Sequence, residues 1–243
     1  MKAVFRLVFL MLLAGLSLQL YFVGRIALMA VLSPESTAFQ RSEMVQVTRN
    51  TGALKWGQQW VPYASLSANL KRAVIASEDA SFIEHDGVDI EALEKAWDRN
   101  AKAEQRAAAR PGTKLAPARA PKIVGGSTIT QQLAKNLFLS GERNLLRKGQ
   151  ELALTLMLEA LLSKQRILEI YLNSVEWGEG IFGAEAAAQH YFRKPAANLS
   201  AYEAARLAVM LPRPKYFEKL PNSGYVAARA AIITRRMNDA ELP

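Results

Sequence analysis

The sequence predicts a mainly α-helical protein carried on one N-terminal membrane helix. Three observations support this: an uncharged apolar run near the start, apolar residues recurring at three- and four-residue spacing through much of the remainder, and few runs with strand-like alternation. The 243 residues, half of them hydrophobic, suffice to bury a substantial core. No cysteine is present, which excludes disulfides and thiolate metal sites, and His85 and His190 are too few for a histidine-rich metal cage.

Residues 7–24 carry no charge, and beyond Arg25 residues 26–32 are apolar again. About 20 apolar residues cross a bilayer core, so residues 1–32 read as a retained transmembrane anchor with Arg25 snorkelling at one end. A cleaved leader is the alternative. The run is longer than a signal core, however, and Ala27 and Ala30 miss the cleavage spacing. Lys2 and Arg6 precede the span, placing the N-terminus in the cytoplasm and the body on the outer side.

The formal charge of +9 is concentrated. Lys2, Arg6 and Arg25 supply +3 and residues 98–122 supply +5, leaving +1 for the rest of the chain. A nearly neutral body does not offer the basic groove a nucleic acid requires. Anionic lipid headgroups are the better partner for basic segments near an anchor.

After the anchor, residues 33–59 read as a polar tether, irregular through residue 50. Leu66, Leu70, Ala73, Val74 and Ala76 then mark a helix ending at Glu78-Asp79. Residues 99–121 are rich in Ala, Arg, Lys and Pro, and Pro111-Gly112, Pro117 and Pro121 break helical continuity, so the stretch reads as a mobile basic insert. A helix opens at Ser127-Thr128, a long one is expected over 145–173, and another over 201–210, closed by Pro212 and Pro214. Residues 60–225 form the body and 226–243 a helical tail.

Three segments can carry chemistry. The first, Glu78-Asp79-Ala80-Ser81-Phe82-Ile83-Glu84-His85-Asp86-Gly87, is acidic and directly follows an apolar helix, which favours a desolvated carboxylate with a pKa suited to proton transfer. A solvated acidic turn is its plain alternative. The second begins at Gly125-Gly126-Ser127-Thr128, where glycines lead into a helix start able to hold an anion, and Thr128, Gln132 and Lys135 can share one face. An ordinary capped helix has the same pattern. The third, Arg147-Lys148-Gly149-Gln150-Glu151, puts two cations on the face of a carboxylate, either as a surface ion pair or as a phosphate-neutralising group.

Taken in order, these motifs resemble the peptidoglycan glycosyltransferases of glycosyltransferase family 51. They are Glu78-Asp79-x-x-Phe82-x-x-His85-x-Gly87, then Gly126-Ser127-Thr128-x-Thr130-Gln131-Gln132-x-x-Lys135-Asn136, then Arg147-Lys148-x-x-Glu151. Lys164-x-x-Ile167-Leu168-Glu169-x-Tyr171-Leu172-Asn173 and Leu199-Ser200-x-x-Glu203-Ala204-Ala205 continue the match, which runs over about residues 60–221. The basic stretch 99–121 departs from it, being longer than the family pattern. No Ser has a Lys three residues later, so the transpeptidase motif of bifunctional relatives is not expected.

The resemblance implies a lysozyme-like helical head with a smaller membrane-proximal jaw. It implies polymerisation of lipid II without cross-linking, at the bacterial inner membrane, with the body periplasmic. Glu78 would be the general base and Glu151 the second essential carboxylate. Asp79, Phe82, His85, Ser127, Thr128, Gln132, Lys135, Asn136, Arg147 and Lys148 would bind or orient substrate. No cofactor is required by this reading, although a divalent cation (Mg or Mn) at the pyrophosphate is compatible with it. Lipid II, the growing glycan-lipid, the bilayer and cell-wall synthesis proteins would be the partners. A lytic transglycosylase or muramidase, and a noncatalytic membrane scaffold, are the rival readings.

Overall fold

A computed structural model describes residues 1–108, 126–139 and 145–243 of the chain. It is mainly helical, as the sequence predicts. Helix α1 (Lys2–Met29) is long and apolar enough to cross a membrane. Its outward-facing residues are exposed, but Phe22, Ile26 and Met29, at helical spacing, are buried against the body.

Helix α2 (Ala38–Thr51) stands where the sequence suggested an irregular tether. Thr37 and Gln40 form a capping box at its start, and Gly52 closes it in the left-handed region at φ 70°. The Gln40 amide also donates to the Ser174 carbonyl at 3.0 Å, fixing the helix to the body. The buried positions of α2 are Gln40 and Val47, so it lacks the apolar stripe that periodicity detects.

Helix α3 (Ala68–Glu78) begins at Ser67, whose hydroxyl accepts from the Asn69 N–H. Helix α4 (Ile90–Ala108) is continuous through residues 99–108, the first part of the expected insert. Asp89 accepts the Ala92 N–H at 2.7 Å, and the alanines, arginine, lysine and glutamine that follow are strong helix formers. The remainder of that stretch, 109–121, and Gly125 lie outside the described residues.

Helix α5 (Ile129–Phe138) starts from a second capping box, between Thr128 and Gln131. The single helix expected over 145–173 is instead two, α6 (Leu145–Leu161) and α7 (Lys164–Ser174). The break falls where the Ser163 hydroxyl accepts the Arg166 N–H and starts a new helix. Short strands β1 (Gly57–Gln58), β2 (Glu176–Gly178) and β3 (Ile181–Phe182) form a sheet of order β1-β3-β2, with β1 parallel and β2 antiparallel to β3.

Helices α8 (Ala184–Phe192), α9 (Ala201–Met210), α10 (Pro214–Phe217) and α11 (Gly224–Arg236) complete the body, α9 over the residues expected. Helices α3, α9 and α11 pack together, while α5 lies against α2, α6 and α7. One apolar core joins the two groups, with Trp177, Tyr171, Phe82 and Leu70 fully buried. This packing presents the end of α3 to the start of α5.

Candidate active site

Asp79 makes that junction. Its Oδ2 accepts the first N–H of α5, from Ile129, at 2.9 Å, and its Oδ1 accepts from His85 Nε2 at 2.8 Å. A carboxylate placed there meets both an otherwise unsatisfied N–H and the positive end of the helix dipole. The Gly87 N–H donates to His85 Nδ1 at 3.1 Å, which fits the neutral tautomer carrying its proton on Nε2. Burial works against a charged His85, but Asp79 outweighs it and the imidazole pKa lies above its ordinary value.

Gly87 sits at φ +86°, and a Cβ there would come within 2.7 Å of Thr155 Cγ2. Its carbonyl accepts the Thr128 hydroxyl at 2.6 Å. Lys164 donates to the His85 carbonyl at 2.6 Å and to Glu159 at 2.9 Å, with its ammonium over the Phe82 ring. Thr130 bonds the same Glu159 oxygen at 2.6 Å. The loop after α3 is thus tied to α5, α6 and α7.

Glu78, the last residue of α3, is held from α5. Gln132 Nε2 donates to Glu78 Oε2 at 3.1 Å, and the Tyr171 hydroxyl donates to Gln132 Oε1 at 2.9 Å. Desolvation pushes the Glu78 carboxyl above the usual range, opposed by hydrogen bonds from Gln132 and Ser77 and assisted by the neighbouring Asp79 charge. A carboxylate raised in this way and still partly open to solvent has the properties of a general base.

Two cavities meet at the start of α5. One, of about 470 Å³, is lined by Ser77, Glu78, Asp79 and residues of α4, and by Gly126, Ser127 and Thr128. The other, of about 490 Å³, is lined by Ser127, Gln131, Gln132, Lys135 and Asn136, by Arg147, Lys148 and Glu151 of α6, and by Phe39, Ser42, Glu43 and Gln46 of α2. Ser127 lines both, and Gln132 lines the second while bonding the carboxylate of the first. Glu78 and Glu151 therefore occupy adjoining cavities.

In the second cavity Glu151 is buried, with Oε2 accepting from Arg147 Nη1 at 3.1 Å and Oε1 accepting from Lys148 Nζ. Half of the Lys148 side chain remains exposed. The carboxylate holds both cations at the cavity wall, where they can meet an anionic group.

Ten of the twelve expected residues line these cavities; Phe82 and His85 line neither and stand behind Asp79. Sequence reasoning missed Tyr171 as the orienter of Gln132. It also missed the α2 wall, although the Thr37-x-x-Gln40 capping signature was readable. For a metal, Asp79, His85 and Asp89 lie close enough to share an ion. Their ligand atoms already accept from Ile129, Gly87, Ala92 and Ser81 or join one another, so the group is complete as a hydrogen-bonded network. Both oxygens of Glu151 are likewise engaged by cations. A divalent cation at this wall would take oxygen ligands from a bound diphosphate, with Glu43 and Asn136 lining the same cavity.

A helical body on a membrane-length helix, with a raised carboxylate in one cavity and a carboxylate-held cation pair in the next, fits an enzyme that handles an anionic substrate beside a membrane. The transglycosylase family model matches residues 42–238, and the chain belongs to that family, which makes it a glycosyltransferase. The chain is similar to the biosynthetic peptidoglycan transglycosylase of Burkholderia thailandensis, at 53% identity over 230 residues covering 95% of this chain and 84% of that protein. It is also similar to proteins of the same name from Burkholderia multivorans, at 51% identity, and Burkholderia orbicola, at 50%, each over 95% of this chain and 87% of the relative.

Proposed function

We propose that this protein polymerises lipid II into linear glycan strands, without cross-linking them. The supporting observation is the junction at α5, where Gln132 holds the Glu78 carboxylate beside the cavity walled by Arg147, Lys148 and Glu151. A lytic enzyme would need a protonated acid for an alkoxide leaving group. A diphosphate leaving group needs charge neutralisation instead, which a cation-lined wall supplies.

In this reading the Glu78 carboxylate takes the proton of the sugar 4-hydroxyl of lipid II. The freed oxygen attacks the anomeric carbon of the growing glycan from the face opposite its diphosphate. The bond from that carbon to the diphosphate oxygen breaks, the oxygen keeps the electron pair, and the configuration inverts. Arg147, Lys148 and Lys135 carry the departing charge, with the Ser127-Thr128 helix start as a further contact. Glu151 keeps the two α6 cations in place, and Asp79 and His85 hold the loop that carries Glu78. Any divalent cation would add to the same neutralisation.

The apolar helix α1 supports anchoring in a membrane, and Lys2 and Arg6 ahead of it favour a cytoplasmic N-terminus with the body in the periplasm. The growing glycan-lipid, the bilayer and cell-wall synthesis proteins are the partners this role requires.

Incubating the purified full chain with labelled lipid II, and separately with preformed glycan, tests the reading. Polymer in the first tube is the expected result. Glycan breakdown in the second would establish a lytic enzyme, and no reaction in either would leave a scaffold.

A further inference from the structure

We propose that the anchor helix sets the depth of the cation-bearing turn of α6 through a reciprocal amide pair, which makes Gln19 a positioning residue for the lipid-linked substrate. This rests on the reading that the α6 cations receive a lipid diphosphate.

Helix α1 has 28 residues, and at 1.5 Å per residue it is about 42 Å long, against a hydrocarbon core of about 30 Å. The surplus lets the last turns of the helix dock on the body. Phe22 packs edge-on against Phe138 of α5, with ring centroids 5.3 Å apart, and Ile26 and Met29 are buried beside it. Arg166, itself held by Glu169 at 2.7 Å, donates to the Met29 carbonyl at 2.7 Å and the Leu32 carbonyl at 2.9 Å. The end of the anchor is therefore fixed to the body by packing and by satisfied carbonyls.

Gln19 lies at the other end of this seam, inside a charge-free and mostly apolar run. Its Nε2 donates to Gln150 Oε1 at 2.9 Å, and Gln150 Nε2 donates back to Gln19 Oε1 at 3.2 Å. An amide at this level has few other partners, which makes the pairing selective. Gln150 precedes Glu151 and shares a helical turn with Arg147 and Lys148, so moving it moves the cations.

The two contacts also fix direction. Gln19 faces Gln150 near the start of α6, while the Met29–Leu32 end faces Arg166 in the first turn of α7, which follows directly on the end of α6, so α1 runs in the same sense as α6. The first turn of α6 then lies level with the span residues just before Gln19. Leu145 and Leu146 there are 90% and 88% exposed, as suits a turn resting in the acyl–headgroup boundary. Arg147 and Lys148 follow in the same turn, and their long side chains extend along the helix toward Glu151, the direction in which lipid phosphates lie.

Two experiments on the full chain test this. First, Gln19→Leu should raise KM for long-chain lipid II in a bilayer about three- to ten-fold. It should leave KM unchanged for a short-chain, detergent-dissolved lipid II. The double variant Gln19→Leu/Gln150→Leu, which also lacks the pair but leaves no orphaned amide, should keep the loss, and its recovery would assign the effect to the orphaned amide and overturn the positioning role. An unchanged bilayer KM, or an equal loss with both substrates, would overturn the positioning role. Second, because the chain has no cysteine, Gln19→Cys/Gln150→Cys can be treated with a short bifunctional thiol reagent. Linked peptides after proteolysis are expected, and their absence overturns the docking. Should the wild type make no polymer, the functional reading fails while the cross-link still decides the docking.

Discussion

The Gln132 amide donates to Glu78 at 3.1 Å with its other end held by the Tyr171 hydroxyl, so the carboxylate faces N–H rather than C=O. Had the amide turned over, two oxygens would face each other and the Glu78 charge would be opposed. Tyr171 is fully buried, and burial, with the charges of Glu78 and Asp79 adding to it, pushes its phenol well above the ordinary range. It therefore stays a neutral donor at every working pH.

Gln132→Leu removes the donor that favours the charged form of Glu78, which moves that carboxyl higher still. A base acts only when deprotonated, so the acid limb of the kcat/KM profile should move to higher pH. Tyr171→Phe should lower kcat/KM about 3–10-fold by freeing the amide. Steady-state rates over a pH series check both, and an unmoved acid limb in Gln132→Leu would detach Glu78 from the profile.

Glu78→Gln should lower polymerisation by about 10²–10⁴-fold. Stability should change in the opposite sense. The folded state holds the Glu78 proton more tightly than the unfolded chain, so this group stabilises the fold at low pH and loses that contribution as pH rises through its raised pKa. A neutral amide escapes the loss, and Tm at neutral pH should rise by on the order of a few degrees. Thermal unfolding beside the activity assay distinguishes this from a misfolded variant.

The helical class, the anchor and α9 were legible because their patterns are local: a charge-free run, or apolar residues at helical spacing between caps and prolines. So were the acidic and cationic motifs. Helix α2 was not, since Gln40 fixes it by bonding Ser174, 134 residues further along the chain. Nor was the role of Tyr171, whose partner lies 39 residues away. The break at Ser163 was hidden in a run whose apolar spacing continues across it. Contacts made only after folding decide such features, and spacing does not carry them.

Glu151 is buried with two cations on its oxygens, so its replacement releases both. Glu151→Gln should reduce kcat/KM by about 10²-fold or more, and Lys148→Ala, at a half-exposed position, by less. The Lys148→Ala loss should show mainly in binding of the diphosphate-bearing substrate. Inhibition by free pyrophosphate should weaken in parallel. Equal inhibition constants in Lys148→Ala and wild type would remove Lys148 from the leaving-group site.

Glu176 on β2 gives a pH signature independent of catalysis. It is buried, its Oε1 has no hydrogen-bond partner among the described residues, and Lys215 of α10 lies 3.8 Å away while pairing more closely with Glu43 of α2. Burial raises its pKa from an ordinary 4.5 to about 8, with Lys215 opposing and Glu43, Glu218 and Glu179 adding to the rise. Between those values the folded state binds the proton that the unfolded chain has lost, so stability from this group falls as pH rises from about 5 to about 8. Glu176→Gln does not titrate, so its Tm advantage over wild type should widen across that window and stay level above it. Lys215→Met removes the cation that favours the charged form, and the decline should then continue to higher pH. Tm measured from pH 5 to pH 9 checks both, and a constant offset between Glu176→Gln and wild type would show that Glu176 does not titrate there.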